Sequence, residues 1–116
     1  MLAALARLFR RAPAEPHWLA IAELRRQLEG PAAPLVVDVR GRDEFEGPLG
    51  HIEGAVNIPL LDLDAHRDEI AAAIRPVVFV CLTDKRSSVA AAQFAAAGRR
   101  EVFVLRGGMQ AWRKAR

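Results

Sequence analysis

The single cysteine of this 116-residue chain, Cys81, stands where a nucleophile would be expected. It ends the apolar run Val77–Val80 and opens the polar segment Leu82–Arg86, after which an alanine-rich helical stretch begins. A thiol at the carboxyl end of a buried strand, facing a helix amino terminus, meets unpaired backbone N–H groups and the positive end of the helix dipole. Both favour the thiolate. Because Lys85 and Arg86 add positive charge, we interpret Cys81 as a reactive thiol rather than a small buried apolar residue.

The composition indicates one globular domain and excludes several functional classes. Apolar residues make up 52% and charged residues 27% of the chain, which is typical of neither a disordered nor a membrane-spanning protein. The net charge of +3 lies mostly near the two ends, and no basic stripe with interleaved aromatic residues predicts a nucleic-acid partner. One cysteine can form no internal disulfide, so we expect a cytoplasmic location that keeps the thiol reduced.

Residues 1–16 are predicted to form a basic amphipathic segment that precedes a domain at residues 17–116. Arg7 interrupts its apolar part too early for a secretory signal or a transmembrane span. Pro13 and Pro16 mark the joint with the domain. We expect a frayed or docked terminal helix, with a weak membrane-surface contact or a transit function as alternatives. The apolar residues that share one helical face are Leu2, Leu5, Leu8 and Phe9.

Short apolar runs alternate with helical patterns along the domain, which predicts an α/β fold with a mainly parallel sheet. The run at residues 35–39 has almost no polar relief on either face, as expected of a strand buried on both sides. The predicted strands are Leu35–Val39, Ala55–Pro59, Val77–Val80 and Val102–Leu105.

The helical patterns between these strands place further residues in the core. A helix over residues 62–74 is amphipathic and should direct Leu63, Ile70 and Ile74 inward. Ser87 or Ser88 is the expected N-cap of the helix that follows Cys81. The other predicted helices span residues 22–28, 42–46 and 109–113, the last with Trp112 inward.

Five motifs occur together along residues 19–112. They are Asp38-Val39-Arg40, Glu44-Phe45, the segment Gly50 to Pro59, the segment Cys81 to Ser87, and Leu105-Arg106-Gly107-Gly108-Met109 with Trp112. In order and spacing they resemble the single-domain rhodanese family of sulfurtransferases. The resemblance implies a parallel five-stranded sheet flanked by helices on both faces, with the cysteine at the bottom of a loop whose N–H groups form a cradle. By this likeness Cys81 is the nucleophile, and the substrate-binding residues are Leu82, Thr83, Asp84, Lys85, Arg86 and Ser87.

The chemistry of sulfur transfer suits these residues. Thiosulfate is an anion with a weak S–S bond, and the Cys81 thiolate can attack its outer sulfur, release sulfite and become a persulfide. A second nucleophile, such as cyanide, a thiol or a protein acceptor, then removes that sulfur. Donor and persulfide are both anionic, so backbone N–H groups reinforced by Lys85 and Arg86 provide a suitable environment. The reaction needs no general base, and we expect no cofactor or metal.

Two other functions are compatible with the same residues. Cell-cycle phosphatases of similar fold place five residues between a cysteine and an arginine, enough to encircle a phosphate, whereas four residues separate Cys81 from Arg86. The shorter ring fits a sulfur better than a tetrahedral oxyanion, so a phosphatase or arsenate reductase is the enzymatic alternative. A persulfide carrier or interaction module with little turnover of small donors is the alternative from another class.

Other matched residues are expected to have structural roles. As supporting residues, Asp38 can bind loop N–H groups at the active-site edge, and Arg40 can pair with Glu44. His51 has neither metal-ligand neighbours nor a proton to abstract, so we interpret it as structural. Asp84 stands where many family members have glycine. Glycine at this position eases a left-handed backbone conformation, which aspartate tolerates better than most residues, and Asp84 adds a negative charge near the anion site.

Overall fold

The structure, a computed structural model, describes residues 15–115, through which a parallel sheet of five strands runs. The strands are β1 (His17–Leu19), β2 (Leu35–Asp38), β3 (Val56–Asn57), β4 (Val77–Val80) and β5 (Val102–Leu105). Across the sheet their order is β1-β5-β4-β2-β3, and every neighbouring pair is parallel. The helices are α1 (Ile21–Glu29), α2 (Arg42–Phe45), α3 (Arg67–Ala72), α4 (Lys85–Ala96) and α5 (Gly108–Lys114), with a 3₁₀ helix at Leu60–His66. The predicted α/β fold is confirmed.

The central strand β4 shows why the sheet is covered on both faces. Its four residues are fully buried, and their side chains alternate between the faces. Val77 and Phe79 pack in a core with α4, α3 and the 3₁₀ helix, whereas Val78 and Val80 pack in a second core with α1 and α5. The ring of Phe79 lies 5.4 Å from that of Phe94 in α4. A continuous apolar run is what a strand between two cores requires.

The parallel arrangement brings the chemically distinctive residues to one edge of the sheet. Because the strands run in one direction, their carboxyl ends meet at the same edge. Asp38 ends β2, Cys81 follows β4, and Arg106 follows β5. Since β4 lies between β2 and β5, the three loops that leave these strands are neighbours.

The edge strand β1 is not among the strands predicted from the sequence. Only Leu19 of its three residues is buried, so no apolar run marks it in the sequence. Its extended form is stabilised by pairing with β5, in which His17 lies opposite Phe103 and Leu19 opposite Leu105. This pairing joins residues more than eighty positions apart and leaves no local signal.

The segment predicted as one helix over residues 62–74 consists of two elements. The 3₁₀ helix leads into α3 at His66, whose backbone angles (φ −109°, ψ 12°) interrupt the regular helix. Leu63 and Ile70 face the core as predicted, but Ile74 lies beyond α3 and is 98% exposed, so its predicted inward position is wrong. Helix α3 ends at Ala72, and Ala73 has an extended backbone (φ −61°, ψ 130°), so the helical spacing that would place Ile74 beside Ile70 does not continue to residue 74.

No helix within residues 15–115 is long and apolar enough to cross a membrane. The predicted amphipathic segment falls almost entirely on residues 1–14, which lie outside the described part of the chain. The boundary between residues 16 and 17 therefore stays a prediction.

Two isoleucines four residues apart provide a test of this fold. Ile70→Ala should lower the free energy of unfolding by about 2–5 kcal/mol, because Ile70 is 2% exposed and its truncation leaves a cavity. Ile74→Ala should change it by less than about 0.5 kcal/mol, because the side chain is in solvent. Denaturant unfolding measures both values, and equal losses would contradict the assigned orientation.

Candidate active site

Cys81 lies between the end of β4 and the start of α4, with its side chain almost completely buried (1% exposed). Its sulfur contacts Ser87, in the first turn of α4, at two points. The Ser87 N–H donates to Sγ over 3.3 Å, and the Ser87 hydroxyl lies 3.2 Å from Sγ. Since Ser87 is itself fully buried, water does not compete for either contact. The sulfur thus meets two hydrogen-bonding groups of the helix start.

Helix α4 begins three or four residues earlier than the sequence predicts. Its N-cap is Asp84, so Ser87 and Ser88 lie inside the first turn and the predicted serine cap is wrong. The first intrahelical bond runs from the Ser88 N–H to the Asp84 carbonyl (3.0 Å), and the Ser88 hydroxyl donates to the same oxygen. Ser87 is thereby free to direct its own N–H and hydroxyl at the sulfur.

The loop that follows Cys81 is held from behind by the start of α5. The Met109 N–H donates to the Cys81 carbonyl (2.8 Å), and the Gln110 N–H donates to the Leu82 carbonyl (3.0 Å). In a trans peptide the N–H points away from the carbonyl of the same unit. The N–H groups of Leu82 and Thr83 therefore point away from α5.

These N–H groups are part of a larger set of open donors. Within residues 15–115, none of the N–H groups from Leu82 to Arg86 donates to a backbone carbonyl, and the last two precede the first bond of α4. Consecutive open donors before a helix form a concave anion-binding nest. The geometry can therefore hold a small anion against Cys81.

Close contact between α5 and the loop requires glycine at position 108. Its backbone is left-handed (φ +56°), and a Cβ there would lie well inside contact distance of the Thr83 and Cys81 carbonyl oxygens. In the sequence, Gly107 and Gly108 are recognisable only as part of the motif that follows the last predicted strand. The adjacent glycines after β5 are a signal of close backbone approach, but not of its target.

Arg86 is bound to Glu44 of α2 by two parallel hydrogen bonds. Its Nη1 and Nη2 lie 2.7 and 2.9 Å from Oε1 and Oε2. These hydrogen bonds lower the pKa of Glu44 and raise the pKa of Arg86. The predicted partner of Glu44 is Arg40, and that pairing is wrong, because Arg40 reaches only the Glu44 carbonyl (3.3 Å). The charge of Arg86 is thus balanced at the rim of the loop.

Asp38 and Arg40 form a fully buried ion pair at the end of β2. Arg40 Nη2 lies 2.8 Å from Asp38 Oδ2, and the Arg40 N–H donates to Asp38 Oδ1 (3.0 Å). Arg40 Nη2 also donates to the Gly50 carbonyl (2.7 Å). Asn57, which the sequence analysis did not single out, donates to the carbonyls of Asp38 (3.0 Å) and Arg40 (2.9 Å). These contacts connect the end of β2 with the loop at Gly50 and with β3 beside the site.

The remaining predicted residues lie as follows. Asp84 has φ −149°, so its backbone is not left-handed, and its carboxylate forms no ion pair within residues 15–115. Lys85 is exposed at the first position of α4. His51 Nδ1 lies 2.9 Å from the carbonyl oxygen of Phe45, and the two rings stack with their centroids 3.6 Å apart. No group of three possible metal ligands occurs in this part of the chain.

Substitution of Gly108 should disturb the loop and not only the stability. Gly108→Ala adds a Cβ against the loop carbonyls. The rate at which a small reagent alkylates Cys81 should therefore differ markedly from the wild-type rate. Gly98→Ala is the matched control, because Gly98 also has a positive φ (+94°) but nothing lies near its would-be Cβ. That control should lose about 1–2 kcal/mol of stability through its backbone alone and keep the wild-type alkylation rate. Equal alkylation in the two variants would contradict the bracing role of α5.

The Glu44 and Arg86 pair should contribute a small stability that depends on pH. The folded state lowers the pKa of Glu44, so the contribution is present above the ordinary carboxyl value and is lost as the pH falls through the folded-state value. Glu44→Gln should cost at most about 1 kcal/mol near neutral pH, because both side chains are more than a third exposed. Denaturant unfolding should show that cost vanishing in acid. Arg86→Gln should show the same loss, and additive losses in the double variant would contradict the pairing.

Comparisons with known proteins agree with this geometry. A model of the Rhodanese-like domain family matches residues 20–115. Thiosulfate sulfurtransferase GlpE of Pseudomonas aeruginosa is 40% identical over 93 residues, which cover 78% of this chain and 79% of GlpE. The uncharacterised protein YqhL of Bacillus subtilis is 42% identical over 77 residues, which cover 66% of this chain but only 59% of YqhL, less than two thirds of its length.

Solved structures give the same result. A protein of unknown function from Rhodopseudomonas palustris, described as a possible tyrosine phosphatase, superposes with a TM-score of 0.78 at 27% identity, covering 86% of this chain and 81% of its own. A rhodanese-like domain from Anabaena superposes with a TM-score of 0.73 at 31% identity, covering 86% and 74%. The resemblance noted in the sequence is confirmed, and the chain belongs to the rhodanese-like domain family.

Proposed function

We propose that this protein is a sulfurtransferase that moves sulfane sulfur from a donor such as thiosulfate to a thiophilic acceptor through a persulfide on Cys81. The observation that carries this proposal is the set of open N–H groups from Leu82 to Arg86 directly after the buried thiol. The name of the relative GlpE, a thiosulfate sulfurtransferase, supports the same reaction.

The proposed reaction has two displacement steps. In the first, the Cys81 thiolate attacks the outer sulfur of thiosulfate, the S–S bond of the donor breaks, and sulfite leaves with the bonding electron pair. In the second, the acceptor attacks the outer sulfur of the persulfide, and the electron pair of its S–S bond returns to Sγ. Total charge is conserved in both steps, and no redox cofactor takes part.

The loop residues bind the anions of the reaction, and the residues beside the loop hold it in position. The N–H groups of Leu82, Thr83 and Asp84, with those of Lys85 and Arg86 at the start of α4, bind the anionic sulfur and the leaving sulfite. Asp38 and Arg40 are positioning residues, because they hold the neighbouring loops and do not touch the sulfur. Since Cys81 is 1% exposed, its partners must be small or must extend a narrow group into the loop.

The phosphatase alternative is favoured by one comparison, the possible tyrosine phosphatase of similar fold. Two observations weigh against it in this chain. Only four residues separate Cys81 from Arg86, and the guanidinium of Arg86 is occupied by Glu44 instead of lying open to a phosphate. A tetrahedral dianion would need both a wider ring and a free bidentate arginine.

A persulfide carrier with low turnover uses the same Cys81 chemistry and differs only in its partners. The protein acceptor would then replace cyanide or a small thiol in the second step. Either form of the proposal places the protein in the reducing cytoplasm, where a single catalytic thiol stays reduced.

Mass spectrometry after thiosulfate treatment tests the proposal directly. The protein should gain one sulfur atom on Cys81, and addition of cyanide should remove it and release thiocyanate. Cys81→Ser should gain no sulfur and should lower thiosulfate:cyanide turnover by more than about a thousandfold, because the nucleophile is lost at similar volume. Circular dichroism should show an unchanged fold.

Two other results would change the proposal. Hydrolysis of an aryl phosphate or reduction of arsenate by the wild-type protein, with no sulfur gained from thiosulfate, would replace the sulfurtransferase proposal by its enzymatic alternative. If Cys81 gains sulfur but small acceptors remove it only slowly, the result would support the carrier form.

A further inference from the structure

The contact between the Ser87 hydroxyl and the Cys81 sulfur is more specific than anion binding requires. The hydroxyl lies 3.2 Å from Sγ, both residues are fully buried, and within residues 15–115 it contacts no other hydrogen-bonding group. The hydroxyl contacts Sγ, which would be the inner sulfur of a persulfide, whereas the open N–H groups of the loop are available to bind the outer sulfur or an anionic donor. The two sets of donors therefore serve different atoms.

The electronic state of Sγ changes during the proposed cycle. When Cys81 is a thiolate, Sγ carries the negative charge and has no proton, so the hydroxyl must be the donor. In the persulfide the charge lies mainly on the outer sulfur, and Sγ becomes a two-coordinate sulfur, which is a weak acceptor. A hydrogen bond from Ser87 to Sγ is therefore strong at the thiolate and weak at the persulfide.

We infer that Ser87 is a catalytic residue for the second step, in which its hydroxyl stabilises Sγ as the leaving group when the acceptor removes the outer sulfur. This inference rests on the proposed function. Charge returns to Sγ as the S–S bond breaks, so the hydrogen bond strengthens toward the transition state and lowers its free energy. In the first step the same bond weakens as charge leaves Sγ, so it gives no acceleration there.

The asymmetry between the two steps distinguishes this role from a structural one. A residue that only shapes the loop, or that only binds the donor, would affect loading and discharge of sulfur together or loading alone. A leaving-group donor affects discharge and leaves loading unchanged or slightly faster. The ratio of the two single-turnover rates therefore reports the role of the hydroxyl.

The test uses Ser87→Ala, which removes the hydroxyl and keeps the N–H that also contacts Sγ. Loading by thiosulfate and discharge by cyanide are followed separately by quenched mass spectrometry at an alkaline pH, at which free thiols are ionised. Discharge should slow by about tenfold or more, the value of one hydrogen bond to a charged group, and the persulfide should accumulate at steady state.

Ser88→Ala is the matched control, because its hydroxyl bonds the Asp84 carbonyl and not the sulfur. Its two rates should change together or not at all. Equal slowing of both steps in Ser87→Ala, or no slowing of discharge, would overturn the inference while leaving sulfur transfer intact. Absence of any sulfur on wild-type Cys81 would instead overturn the proposed function, and the role of Ser87 with it.

Discussion

The site depends on the direction of the peptide groups after Cys81, which hydrogen bonds from α5 determine. The Met109 and Gln110 N–H groups bind the carbonyls of Cys81 and Leu82, so the opposite ends of those peptide units are left open. Without these bonds the carbonyls of Cys81 and Leu82 would lack partners, and a buried carbonyl without a hydrogen bond is costly in free energy. Gly108 allows this contact by bringing α5 against the loop backbone. The anion nest is thus a consequence of how the last helix packs.

Side-chain charges are arranged around the nest and not inside it. Arg86 is balanced by Glu44, Arg40 is balanced by the buried Asp38, and Lys85 is exposed to solvent. The backbone dipoles of the loop and the start of α4 therefore contribute a field at the sulfur that is fixed before a substrate arrives. Fixed dipoles stabilise charge without reorganisation during the reaction, which is the most effective electrostatic arrangement for catalysis. A buried ion pair such as Asp38 and Arg40 contributes geometry more than stability.

The sequence predicts those parts of the molecule that local patterns determine. The buried strands β2, β4 and β5, the position of Cys81 at a strand end and the order of the motifs were all accessible from apolar runs and spacing. Strand β1, the exposed position of Ile74 and the true partner of Glu44 were not. Strand β1 and the pairing of Glu44 depend on contacts between distant segments, as when Glu44 reaches an arginine forty-two positions later, whereas Ile74 is exposed because α3 ends before it. Propensity cannot report such pairings, and the helix start at Asp84 likewise follows from packing and not from a serine side chain.

Burial of Cys81 divides the work of the proposed cycle between two sulfur atoms. The inner sulfur is held by Ser87 and almost sealed from solvent, while an outer sulfur would extend about 2 Å farther, toward the open N–H groups. Sealing protects the thiolate from bulk oxidants, and the longer persulfide presents the transferable atom to an acceptor. A free thiolate that reached solvent would gain access but lose both contacts to Ser87. In the proposed cycle the buried Cys81 can therefore stay beside Ser87 while only the outer sulfur is gained and lost.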